Sequence, residues 1–267
     1  MTNHHSHLGE LIHQQNDEQG PITVYQNYNL RYLTFGNQVE QSCMSLEYPH
    51  RLEHAYTQAM MLSLLFKQDI RHAALLGFGG GSLARALYHA RPKLKVDAVE
   101  YRPMVIDIAK RFFELPDHKH FTLHTVDAAD FIINCRQQFD LVFTDLYLPE
   151  GVHQLQHNHD FLQQCMQQLS ANGLLIVNQW SNDFKQVQLA HQVLRESCNG
   201  MLLNLHVHGG NNIAFAFKDD FPDLKRKIFF EDARKLGLKL NIPLQKLARN
   251  FWQENVQQLN VSRYSRN

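Results

Sequence analysis

Between His72 and Ser197 short apolar runs alternate with stretches of helical spacing. HAALLGF (72–78), KLKVDAVE (93–100), HFTLHTV, FDLVFTD (139–145) and GLLIVNQW (173–180) read as strands. SLARALYHA (82–90), PMVIDIAKRFF (103–113), DAADFIINC, NHDFLQQCMQQL and NDFKQVQLAHQVLRES read as helices between and after them. The first strands lack polar alternation, which is how strands covered on both faces of a parallel sheet read. With right-handed crossovers, the series predicts a doubly wound, mostly parallel α/β sheet. MLLNLHV and IAFAFKD are expected to close it as an antiparallel pair across Gly209-Gly210-Asn211-Asn212.

Both flanks have a different texture. ITVYQNYNLRYLTFGNQVEQSCMSL (22–46) is rich in β-formers and predicts one or two hairpins about Gly36-Asn37. Arg51 to Phe66 has helical spacing at Leu52, Tyr56, Ala59, Met60, Ser63 and Leu64. From Pro222 the chain is basic and amphipathic, with Leu236, Leu240, Leu244 and Leu247 on one stripe, and predicts a helical cap packed on the sheet. The expected division is a disordered terminus (1–20), a small β-hairpin region (21–50), the α/β domain (51–218) and a helical tail (219–267). His4, His5 and His7 belong to that terminus and are left out of the fold.

Composition narrows the class. In 267 residues, 26 Lys and Arg balance 26 Asp and Glu, so no basic field points to nucleic acid. No apolar run is long enough to span a bilayer, and MTNHHSHLGE lacks the apolar core of a secretory leader. Cys43, Cys135, Cys165 and Cys198 are far apart and form no CxxC pair, which suits a reducing cytosol and predicts a cytoplasmic protein. His153, His157 and His159 lie in GVHQLQHNHDF at a spacing that is not one of the usual zinc patterns. They predict a loop over the crevice rather than a metal site.

Ligands of open parallel sheets bind beyond the carboxyl ends of the strands. Four groups fall there: Gly77, Gly79, Gly80 and Gly81 after the first strand, Glu100 after the second, Asp127-Ala128 after the third and Asp145 after the fourth. Glycines let backbone approach a ligand closely, and an acid some twenty residues on can take both hydroxyls of a ribose. Each has a plainer alternative: turn chemistry for the glycines, a solvated strand end for Glu100, a helix N-cap for Asp127.

With these residues in place the chain resembles the spermidine synthase family, the polyamine aminopropyltransferases, as a divergent member. The family's GGGDGG loop is matched by GFGGGS, its ribose acid by Glu100, its Asp-Ala or Asp-Gly pair by Asp127-Ala128, and its DxxDP by Asp145-Leu146-Tyr147-Leu148-Pro149. The resemblance implies a Rossmann-like fold shared with S-adenosylmethionine methyltransferases, and homodimers paired partly through the amino-terminal β region. It implies decarboxylated S-adenosylmethionine as co-substrate, held by Gly77, Gly79, Gly81, Glu100, Asp127 and Ala128. Asp145 would be the catalytic base, with Tyr56, Asp145 and Tyr147 facing a polyamine or related amine.

Two departures bear on the amine half: Gly80 stands where the family loop carries an acid, and Leu148 where DxxDP carries its second. Losing two charge-assisted contacts at about 1.5–3 kcal/mol each predicts weakened diamine capture. The alternatives left open are an S-adenosylmethionine-dependent methyltransferase and a non-catalytic adenosyl-compound-binding protein. A dinucleotide oxidoreductase comes third, since GxGxxG is met only by Ser82 in its last place.

Overall fold

The computed structural model describes residues 8–36, 39–148, 151–152, 154–180 and 184–259; for Tyr147, Leu148, Gly151, Val152 and Phe184 it describes the backbone alone. Four antiparallel strands come first: β1 (Glu10–Asp17), β2 (Gly20–Asn27), β3 (Leu30–Thr34) and β4 (Glu40–Ser45), paired in that order. β1 lies inside the stretch expected to be disordered, and that expectation is corrected. Its sequence, ELIHQQND, is mostly polar because it is the edge of the sheet and largely exposed, so it carries no apolar run to read.

The helix expected from Arg51 to Phe66 is shorter. Leu52, 1% exposed, pairs with Met44 as an isolated antiparallel bridge, which keeps this stretch out of the helix. Helix α1 (Ala55–Met60) starts after it and tightens into a 3₁₀ turn, Met61–Leu65. The alternating series then runs β5 (His72–Leu76), α2 (Ser82–Ala90), β6 (Lys95–Glu100), α3 (Pro103–Phe112), β7 (Phe121–Thr125), α4 (Ala128–Asn134) and β8 (Phe139–Thr144). A two-residue ladder follows, β9 (Tyr147–Leu148) against β10 (Gly151–Val152). The chain continues through α5 (His159–Gln167), β11 (Leu169–Gln179), α6 (Phe184–Ser197), β12 (Leu202–His206), β13 (Asn212–Phe217), α7 (Arg226–Leu240) and α8 (Leu244–Glu254).

The second sheet has seven strands in the order β12-β13-β11-β8-β5-β6-β7. Pairing is parallel from β11 to β7 and antiparallel at β11–β13 and β13–β12; the mostly parallel order and the β12–β13 pair are as the sequence pattern predicts. Strands β8, β5, β6 and β7 are consecutive neighbours, so their carboxyl ends form one rim.

Each face of this sheet has its own core. Leu175, Val177 and Val142 pack with Phe161, Leu162 and Leu194 on one side. On the other, Leu75, Phe143, Ile176 and Phe215 pack with α1, α2, α7 and α8. The tail is part of this second core: Phe251 is fully buried, 5.1 Å from Phe66 and 5.5 Å from Phe215 between ring centres. The residue after α8 covers the sheet edge, since Asn255 Oδ1 accepts from Asn204 N (3.0 Å) and its Nδ2 donates to Asn204 O (2.7 Å). Edge strands left open are templates for association, and here one side-chain amide takes both backbone groups of Asn204 while the Glu254 carboxylate accepts from His206 N.

Truncating Phe251 to Ala is expected to destabilise the fold by about 3–5 kcal/mol, the usual cost of a large aromatic-to-alanine cavity. Denaturant unfolding measures it. A loss below ~1 kcal/mol would show that the tail is an appendage and not core.

Candidate active site

The glycine turn after β5 packs against the end of β8. Asp145 N donates to Leu76 O (2.9 Å) and Gly77 N to Val99 O (3.1 Å), which splices three strand ends together. Gly77 has φ +92°, and a Cβ there would lie 2.2 Å from the Asp145 carbonyl oxygen. Only glycine fits that approach. The loop, the ends of β6, β7 and β8, α1 and the β1–β2 and β4 edges of the small sheet enclose a cleft of about 590 Å³. That size suits a single small-molecule ligand.

Gly77, Gly79, Glu100, Asp127, Ala128, Asp145 and Tyr56 all line this one cleft. Gly81 does not. It is the left-handed N-cap of α2 and lies behind the wall, where a Cβ would strike the Phe78 ring at 2.7 Å. Tyr147 contributes its backbone to β9, and its side chain lies outside the described residues, as do Pro149, Glu150 and His153. Among the described residues no group of three or more His, Cys, Asp or Glu could hold a metal ion.

The three carboxylates have distinct surroundings. Asp127 caps α4, with Oδ1 accepting from Ala129 N (2.7 Å) and Asp130 N (3.3 Å), so the plainer sequence reading and the cleft position hold together. Glu100 accepts from Gly79 N and Arg102 N, both at 3.1 Å. Burial nevertheless raises its pKa, outweighing the main-chain donors that pull it down. Burial also lifts Asp145, to about 6, against hydrogen bonds from Asn178 (Nδ2 to Oδ1, 2.9 Å) and from Tyr56. A carboxyl that changes charge near neutrality is suited to take a proton.

Several residues of the site carry no signal that the sequence reading used. Asn178 is one: its Oδ1 accepts from Asn211 Nδ2 (2.9 Å), which leaves its amide N–H groups turned toward Asp145. Its trace in the sequence is a polar residue at the tip of the apolar run LLIVNQ. Fully buried Gln156 ties the loop after β8 to the sheet, accepting from Leu146 N (2.9 Å) and donating to Asn178 O (2.8 Å). His54 stacks 5.6 Å from Tyr56 and lines the cleft, as do Gln19, Gln41, Ser42, Tyr101 and Arg102.

With the geometry established, comparison with known proteins is direct. Residues 53–204 match the spermine/spermidine synthase domain, over more than half of the chain. The chain belongs to the spermine/spermidine synthase family. A polyamine aminopropyltransferase of Neisseria meningitidis serogroup A is 32% identical over 195 residues, covering 72% of this chain and 74% of the relative. The fold is that of a probable spermidine synthase from Corynebacterium glutamicum, with a TM-score of 0.72 at 17% identity over 88% of this chain and 93% of that one. Human methyltransferase-like protein 13 in complex with SAH shares it over 71% of this chain and 94% of its own, with a TM-score of 0.61 at 23% identity.

The Asn178 hydrogen bond lowers the Asp145 pKa, so Asn178→Ala is expected to move the titration midpoint of Asp145 upward from about 6. Carboxyl NMR titration measures this. A midpoint that stays put or falls would show that Asn178 does not tune the acid.

Proposed function

We propose that this chain transfers an aminopropyl group from decarboxylated S-adenosylmethionine to an amine. The observation that carries the reading is the convergence of Glu100, Asp127 and Asp145 from the tips of β6, β7 and β8 on one cleft. Glu100 holds the ribose hydroxyls beside the glycine turn, and Asp127 with Ala128 meets the adenine. The site sits in a family whose curated relatives are named aminopropyltransferases.

In the reaction, the amine nitrogen attacks the aminopropyl carbon bonded to the sulfonium. The carbon–nitrogen bond forms as the carbon–sulfur bond breaks, the electron pair goes to sulfur, and neutral methylthioadenosine leaves. The nitrogen sheds its extra proton to Asp145. An amine of pKa about 10 is an ammonium at neutral pH, so the same carboxylate first binds the cation and then accepts its proton. Tyr56 and Asn178 hold that carboxylate in place through their hydrogen bonds. Alignment of nucleophile, carbon and sulfur supplies the rest of the acceleration. We place the protein in the cytoplasm as a homodimer, as the family resemblance implies.

A second reading, S-adenosylmethionine-dependent methyl transfer, is favoured by the glycine at position 80 and by the fold shared with methyltransferase-like protein 13. Product analysis separates the two, since aminopropyl transfer leaves methylthioadenosine and methyl transfer leaves S-adenosylhomocysteine.

Asp145→Asn is expected to lower kcat by about 10²–10⁴-fold while methylthioadenosine still binds. In the wild-type protein Asp145 is protonated below about 6, so kcat/KM should rise with pH through that value. Steady-state kinetics across pH 5–8 with mixed polyamines checks both. Full activity in the Asn variant would remove Asp145 from the chemistry.

A further inference from the structure

The parallel ladder between β8 and β11 stops at the pair Thr144–Val177. Running on, its next bond would join the N–H of Leu146 to the carbonyl of Asn178, because the Asp145 N–H is turned the other way, to Leu76 O on β5. The carboxamide of Gln156 stands in the place of that bond. Its Oε1 accepts from Leu146 N at 2.9 Å and its Nε2 donates to Asn178 O at 2.8 Å. The two strand tips are therefore held one amide apart where the cleft begins, with Leu146 and Leu155 both in its lining.

The inserted amide is itself firmly seated. Gln156 is fully buried in the 3₁₀ turn Gln154–His157. The chain runs from there into α5, whose first turn is capped by Asn158 Oδ1 accepting from Phe161 N at 3.0 Å. A buried amide stripped of its partners costs stability, so both of its bonds resist breaking.

Spacing matters here because Asp145 and Asn178 are the first residues beyond the ladder on their strands, opposite each other in its register. Asn178 Nδ2 donates to Asp145 Oδ1 at 2.9 Å, while Asn178 Oδ1 accepts from Asn211 Nδ2 at the same distance. Gln156 grips the main chain on both sides of this contact: the peptide that follows Asp145 and the carbonyl of Asn178 itself. The other titratable side chains lining the cleft are His54, Tyr56, Glu100, Tyr101, Arg102 and Asp127, of which Tyr56 also bonds Asp145. Beside Gln156, burial lowers the His157 pKa and favours its neutral form.

We infer that Gln156 is a positioning residue for Asp145: its carboxamide sets the separation of the β8 and β11 tips at which Asn178 reaches the carboxylate. The inference deepens the aminopropyl-transfer reading and rests on it for the kinetic consequence alone, since the geometry concerns Asp145 whatever the cleft binds.

Carboxyl NMR titration of Gln156→Met, which keeps the length of the side chain and removes both hydrogen bonds, tests it beside Asn178→Ala and the double variant. Weakening the hydrogen bond to the carboxylate is expected to move the Asp145 midpoint upward by about one pH unit in Gln156→Met. In the Asn178→Ala background the same substitution is expected to add little, because the group it positions is gone. An unmoved midpoint in folded Gln156→Met overturns the inference. So does a full further rise in the double variant, the mark of two independent effects. Where Gln156→Met fails to fold, the wild-type protein decides. Its Gln156 Nε2 proton resonances are expected to follow pH with the Asp145 midpoint, and a flat response overturns the inference. Kinetics separates the inference from the reaction: the rising limb of kcat/KM is expected to move up in pH with the Asp145 midpoint while methylthioadenosine still binds. A coupled NMR shift with an unmoved kinetic limb supports the positioning role and removes Asp145 as the base.

Discussion

The close contact between the glycine turn and the end of β8 is the constraint from which the cleft follows. Gly77 touches the Asp145 carbonyl so tightly that no side chain could stand between them. That contact fixes where the strand ends and sets Asp145, half-buried, in the wall of the cleft. Burial there disfavours the charged form, and the hydrogen bonds from Asn178 and Tyr56 offset part of that cost. The balance leaves an acid near neutrality, where a fully solvated aspartate would have little power to accept a proton.

Parallel-sheet topology does the rest of the assembly. Since β8, β5, β6 and β7 are adjacent and run the same way, their tips deliver Asp145, Gly77, Glu100 and Asp127 side by side. Gly77, Glu100 and Asp145 each stand at the end of a buried apolar run, while Asp127 follows β7, an edge strand that is only partly buried. This is also why the centre of the site is legible in the sequence. HAALL, KVDAVE and FDLVFT are buried on both faces and show no alternation, and the chemistry begins where each run stops.

The periphery is less legible for equally physical reasons. β1 is a half-exposed edge strand whose polar sequence looks like an unfolded terminus, yet the turn after it brings Gln19 to the cleft. The start of the expected helix at Arg51 is overridden by a tertiary contact, the Leu52–Met44 bridge, which local spacing does not encode. Ser42 and His54 reach the site from the small sheet and its connection to α1, and nothing in their immediate neighbours marks them as lining anything. Gly81 shows the opposite error: a residue that reads as ligand-facing because its neighbours are, but whose left-handed conformation serves the start of α2.

Arg102 joins the legible half of the site to the other. Its main-chain N–H holds Glu100, while its side chain, 5% exposed, crosses to the small sheet. There Nε and Nη2 grip Asp17 at 2.9 and 2.7 Å, Nη2 also reaches Gly20 O at 3.0 Å, and the guanidinium lies 4.7 Å from the centre of the Phe35 ring. These contacts bracket Gln19, so one residue orients Glu100 and holds the turn that brings Gln19 to the cleft. The Arg102 hydrogen bonds hold the Asp17 carboxyl below its usual range against the effect of burial, which makes the pair a stabilising contact above the ordinary carboxylate pKa and a weaker one in acid, as pH falls through the depressed value. A buried ion pair is seldom the strongest way to glue two sheets, and apolar packing would serve as well or better for stability alone. What the pair adds is geometry: a planar guanidinium gripped by both oxygens of one carboxylate allows little freedom of register. The small sheet is therefore a fixed wall of the cleft, to which it presents Gln41 and Ser42.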